Sequence, residues 1–308
     1  GNTTGHSNVA LGSNAGDNIT TGVYNVVIGH LGGGGMTTGG YNVTIATRAG
    51  EALSTGSENT LVGYGSGAYV DTGGNNTGHG AYTLYHQGAG SASSPSNNTA
   101  VGGTAMRGTY GSFSGGNNTA VGVRALQNIS TGSNNTCLGY ESGRSNAPSG
   151  DITTASGVIC LGNNGVGNLY CNDTSISSSD GRDKTDVVNF TTGLDFVKQM
   201  RPVSYRWDKR GWYVGSDCTS QEILDAVPDG SKKHPKQHIG FISQEIQTLE
   251  QALGFASSRN NELICNTNED NTAMGIKYER VIPILVNAIK ELSTKNDALE
   301  ARITALEG

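Results

Sequence analysis

Residues 25–46 read NVVIGHLGGGGMTTGGYNVTIA, a stretch that opens and closes on versions of one phrase, Asn25–Gly29 and Asn42–Ala46. The phrase returns as NVALG from Asn8, NTLVG from Asn59 and NTGHG from Asn76, so that its Asn recurs every 17 residues from Asn8 to Asn76. It continues as NTAVG from Asn98 and from Asn118, as NTCLG from Asn135 and, more loosely, as GVICLG from Gly157. The wider intervals after Asn76 and Asn98 hold the insertions HQGAGSASSPS (86–96) and GTYGSFSGG (108–116), whose Gly, Ser and Pro content reads as loop.

Such a phrase predicts a strand of about three or four residues, begun by an Asn that tolerates a left-handed turn and stopped by a Gly that permits one. TTG, STG or SGG ahead of the Asn supplies a second turn. One unit cannot enclose a core, whereas stacked units bury a continuous one, so the fixed period predicts a mainly β solenoid or fibre. Leu11, Ile28, Ile45 and Val62 hold one place in successive phrases and read as the inward residues. About one or two inward aliphatics per unit make a thin core for one chain, which predicts several chains around a shared axis. His79 stands where those aliphatics stand, so three imidazoles would meet on a trimer axis, as an ion site or as histidines satisfied by water. Tyr24 and Tyr41 also hold equivalent places, suited to packing between coils or to stacking on a host sugar.

Composition closes off several function classes. The 47 glycines follow no three-residue period, which excludes a collagen-like chain. A net charge of −6 argues against nucleic acid, whose binding depends on clustered Lys and Arg. No long apolar run or charged-then-apolar leader is present, so no membrane insertion is expected. Cys137, Cys160, Cys171, Cys218 and Cys265 lie at irregular spacings without a CxxC pair and read as buried thiols. His234 and His238, in HPKQH, sit beside Pro235 and several lysines and read as a solvated loop rather than a metal site. No cofactor motif is found.

The chain changes character at SSSDGRDKTDVVNF (177–190), where Lys184 is the first lysine. This divides it into a repeat region, 1–177, and an α+β domain, 178–308. The domain predicts a helix around Leu194–Met200 ended by Pro202, a strand Val203–Trp207, and a strand leading into a helix through GFISQEI (240–246). A long helix with a coiled-coil seam follows at about 279–307: Leu285, Leu292, Leu299 and Leu306 on one position, Ile282, Ile289, Asn296 and Ile303 on the other.

Ser179, Asp180, Arg182 and Lys184, followed by LDFVKQMRPVSYRW (194–207), GFISQEI and YERVIPILVNAIKEL (278–292), resemble the C-terminal intramolecular chaperone of phage tailspikes, the endosialidase-type family. The resemblance implies a homotrimer that templates the folding of the fibre before it and then cuts itself off, with Ser179 as nucleophile and Lys184 as base. It implies a virion tail fibre, with the chaperone released in the host cytoplasm. Asp180 is given a supporting place that orients the turn, and Arg182 one that stabilises an oxyanion or pairs with a carboxylate. The side of Ser179 on which the bond breaks stays open. The repeats resemble both collar-like repeats of phage tail fibres and head repeats of trimeric autotransporter adhesins. Two rival readings follow: a trimerisation module that does not cleave, and an adhesin head that binds a host-surface glycan or receptor through the repeats.

Overall fold

The computed structural model describes residues 3–85, 94–108, 113–166, 169, 179–215 and 217–307. Cys171 and parts of both insertions, 86–93 and 109–112, lie outside the described residues. Contacts group the chain into two compact units, the first comprising Gly1–Gly167, Lys209–Asp229 and Asn268–Ala273.

The repeats form a parallel β-solenoid. Its nine three-residue strands are β1 (Val9–Leu11), β2 (Val26–Ile28), β3 (Val43–Ile45), β4 (Thr60–Val62), β5 (Thr77–His79), β6 (Thr99–Val101), β7 (Thr119–Val121), β8 (Thr136–Leu138) and β9 (Ile159–Leu161). They pair in sequence order, equivalent residues opposite one another, as in Val26↔Val43 and Ile28↔Ile45.

The inward residue is the middle one of each strand from β2 to β9. Val27, Leu61, Ala100, Ala120 and Cys137 are fully buried, whereas Leu11, Leu138 and Leu161 are exposed and Ile28, Ile45 and Val62 are half-buried. The reading of Leu11, Ile28, Ile45 and Val62 as inward is therefore corrected. In a pleat of period two, the first and third residues share a face and the second takes the other. The core is also not thin, contrary to expectation, because the segment between strands adds Ile19, Met36, Leu53, Val70, Leu126, Ile129 and Ile152 to it. Phe113, placed by sequence in an insertion loop, is fully buried there as well.

The phrase-opening Asn does something other than turn the chain. Asn25, Asn42, Asn59, Asn76, Asn98, Asn118 and Asn135 are buried and stacked. Asn59 Nδ2 donates to Asn42 Oδ1 at 3.1 Å and to the Gly73 carbonyl at 2.9 Å, while its own Oδ1 accepts from the Asn76 backbone N–H at 3.1 Å. The left-handed conformation belongs to the residue before, as at Tyr24 (φ 57°), Tyr41 (φ 59°) and Asn75 (φ 57°). Gly29 (φ 129°) and Gly63 (φ 132°) end their strands in a conformation that suits glycine, and Ala46 takes it with a side chain, at φ 109°.

In the second unit, Asn168–Asp208, Gly230–Thr267 and Met274–Gly308 come together. Its helices are α1 (Leu194–Gln199), α3 (Ser243–Ala252) and α4 (Val281–Glu307), α2 (Ser220–Asp225) belonging to the first unit. β10 (Val203–Tyr205) pairs antiparallel with β11 (His238–Gly240), and β12 (Cys265–Thr267) with β13 (Met274–Ile276). His238 thus lies in a strand, its ring stacked on Tyr205 at 5.6 Å, which corrects its placement in a solvated loop. Phe196, Met200, Ile246, Ile264, Cys265, Val281 and Ile284 form the core. Buried Glu250 accepts backbone N–H bonds from Leu263 at 2.8 Å and Cys265 at 3.0 Å, which satisfies a carboxylate that would be costly if left unpartnered. Along α4, Val281, Ile284 and Ala288 are buried, and the seam residues Ile282, Leu285, Ile289, Leu292, Leu299, Ile303 and Leu306 are exposed.

Candidate functional site

Asp180 builds the local frame around Ser179. Its Oδ1 accepts the Arg182 backbone N–H at 2.9 Å and so starts a single 3₁₀ turn, Gly181–Asp183, while the Arg182 guanidinium closes back on the same carboxylate at 2.6 Å. The bonds from the Arg182 side chain and backbone hold the Asp180 carboxyl below its ordinary value. The turn returns the chain on itself. Lys184 Nζ consequently lies 2.7 Å from Ser179 Oγ, within hydrogen-bond reach of the proton a base would take. Both side chains are exposed. The four residues singled out from sequence lie in or beside this one turn, with Arg182 bonded to Asp180 and Lys184 to Ser179.

Residues 179–254 match the family described as chaperone of endosialidase. The matched segment begins at Ser179, and the nine-stranded solenoid before it fits a fibre-like shaft. No curated protein and no solved structure matches the chain. The family carries a self-cleaving serine peptidase expectation onto the chaperone segment and supports a chaperone role in a fibre.

Sequence reading missed a second set of residues, which tie parts of the chaperone end of the chain to the repeats inside the first unit. Along the solenoid, backbone N–H groups ahead of several phrases donate to one carbonyl of the next coil: Thr20 to Thr37 at 2.9 Å, Thr37 to Ser54 at 2.9 Å, and Ser130 to Thr153 at 2.9 Å. At Thr153 the series ends, and the Glu269 carboxylate takes over. It accepts the N–H groups of Thr153 at 3.3 Å, Thr154 at 3.1 Å and Ala155 at 3.0 Å, and the Thr154 hydroxyl. Burial acts to raise the Glu269 carboxyl, but these bonds outweigh it and hold the group below its usual range. Alongside, Asp270 Oδ2 accepts the Asp151 N–H at 3.0 Å, Ser145 Oγ donates to the Cys218 carbonyl at 3.0 Å, and Asp217 pairs with Arg124 at 3.0 Å. Only the acidic pair in the NTNEDNTA turn (266–273) could have signalled this.

The described residues show no group of three or more metal-ligating side chains within the chain and no helix long and apolar enough to cross a membrane. Cys137, Cys160, Cys218 and Cys265 are free and buried, as read from the sequence. Tyr24 and Tyr41 stack at 5.0 Å and are about half exposed, so they both pack between coils and face solvent.

Proposed function

We propose that residues 178–308 are a trimerising chaperone that templates the last coils of a phage fibre and is then cut from it beside Ser179. The Glu269 carboxylate carries this reading. It presents the acceptor that the next coil would present, so the final coil can close its backbone bonds before any further coil exists. A solenoid is costly to start and easy to extend, and a ready acceptor at one end lowers that cost. The exposed seam on α4 supplies the means of holding chains in register while this happens.

Cleavage follows from the Ser179–Lys184 pair. Neutral Lys184 takes the Oγ proton, and Oγ attacks an adjacent backbone carbonyl. The amine leaves with the proton that Lys184 returns, and water hydrolyses the resulting ester. A lysine acts as base once it is stripped of water, and in one chain Lys184 is exposed. Chains closing over the turn would strip it, so that cutting waits on assembly. Cleavage in solution within the host would leave the shaft in the virion.

A denaturing gel of freshly expressed protein, read beside light scattering of the native sample, tests the proposal. The expected result is a trimeric native mass and a fragment that starts at or beside Ser179. A trimer that stays whole would instead support the structural module. The exposed Tyr24–Tyr41 pair favours a second role for the mature shaft, stacking on a host-surface sugar, which Tyr41→Ala would weaken on a glycan array.

A further inference from the structure

The first and third residues of β1–β9 face outward, and none of them is charged: all are Val, Leu, Ile or Thr except His79. A sheet face left to water ordinarily carries polar and charged side chains. One without a charge over nine strands suits contact with other protein, and the same column recurs on every copy of the chain. The α4 seam, also exposed and apolar, points to the same occupant.

Coil β5 stands apart within this face. Its strand reads Thr77–Gly78–His79, so it has no apolar side chain on either side of the sheet. Inside, a Cβ on Gly78 would meet Ser66 Oγ at 2.6 Å and Thr83 Oγ1 at 2.9 Å, and these two hydroxyls bond each other at 2.8 Å. Outside, His79 is exposed and lies in register between Val62 and Val101. Packing three chains on this face would enclose three imidazoles between layers of valine, where an unpartnered ring nitrogen is costly.

We infer that His79 from three chains forms a three-nitrogen site for a divalent transition-metal ion of the zinc class, an inference that rests on the trimer reading above. Neutral imidazole is a ligand for such ions, and three imidazoles with one water complete a tetrahedral shell. Mg²⁺ and Ca²⁺, which require oxygen ligands, do not suit it. Each ion gives one nitrogen from each chain a partner and cross-links a coil whose strand carries no apolar side chain.

The test uses the full chain carrying Ser179→Ala, so that it stays intact, with and without His79→Val. Both proteins are stripped with chelator, reloaded with Zn²⁺, and measured for metal content and native mass. The expected result is a trimer holding about one Zn²⁺ per three chains beyond what the His79→Val trimer holds, with a tetrahedral absorption band when Co²⁺ replaces Zn²⁺. His6, His30, His86, His234 and His238 remain in both proteins, so the difference isolates His79. A trimer with equal metal in both proteins overturns the site and leaves the trimer standing. A monomer overturns both. If His79→Val does not fold, His79→Gln replaces it under the same criteria.

Discussion

Glu269 receives the Thr153 and Ala155 N–H groups at 3.3 and 3.0 Å, the place that a coil carbonyl fills for Thr20, Thr37, Ser54 and Ser130. A side chain from beyond the Ser179–Lys184 turn thus completes the hydrogen bonding of the final repeat. Glu269→Gln keeps one acceptor oxygen but turns an N–H₂ group towards the donors and removes the charge. It should cost about 2 kcal/mol, the worth of a hydrogen bond to a charged group, and speed hydrogen exchange at Thr153–Ala155. Unchanged exchange there would show that Glu269 does not hold the final repeat closed.

The same residue sets an acid dependence. Its folded carboxyl lies below the ordinary value of 4.5, so its contribution is fully present above that pH and is lost as pH falls through the depressed folded value. Protection of Thr153–Ala155, corrected for intrinsic exchange, should fall in that range in the parent chain and not in Glu269→Gln.

Asn59→Ala breaks the middle of the buried ladder, leaving the Gly73 carbonyl and the Asn76 N–H without their partners. About 3 kcal/mol should be lost, against under about 0.5 kcal/mol for Thr55→Ala at an exposed turn of the same coil. Equal effects in chemical denaturation would show that the ladder carries no special weight.

Ala46→Gly should stabilise the solenoid by about 1 kcal/mol, because it places glycine at the φ of 109° that Ala46 now holds under strain. The unfolding midpoint measures this, and no rise would mean that the added chain entropy of glycine cancels the relief.

Ser179→Ala and Lys184→Arg should each slow cleavage by about a hundredfold or more while leaving the native mass unchanged, since a guanidinium keeps its charge and cannot take the Oγ proton. Ile45→Glu should do the reverse of this on assembly, placing a charge on the uncharged outer face. A monomeric, folded and uncleaved Ile45→Glu chain is the expected result, and a cleaved trimer would show that this face is free.

Local pattern determined a good part of this protein. The recurrence of the Asn phrase fixes a strand and its neighbour about one period away, so the parallel stacking from Asn8 to Asn135 follows from spacing. Ser179 and Lys184 are five residues apart, close enough for one turn to join them. The heptad residues of α4 lie on a single helix and need no tertiary information to share a face. What tertiary structure decided was direction and distance. Periodicity said that three strand residues alternate but not which face would be enclosed, because that depends on where Ile19, Met36 and Leu53 return, and so Ile28 turned out and Val27 turned in. The bond from Thr154 to Glu269 spans 115 residues and obeys no period, so it exists only once the chain has brought those two segments together.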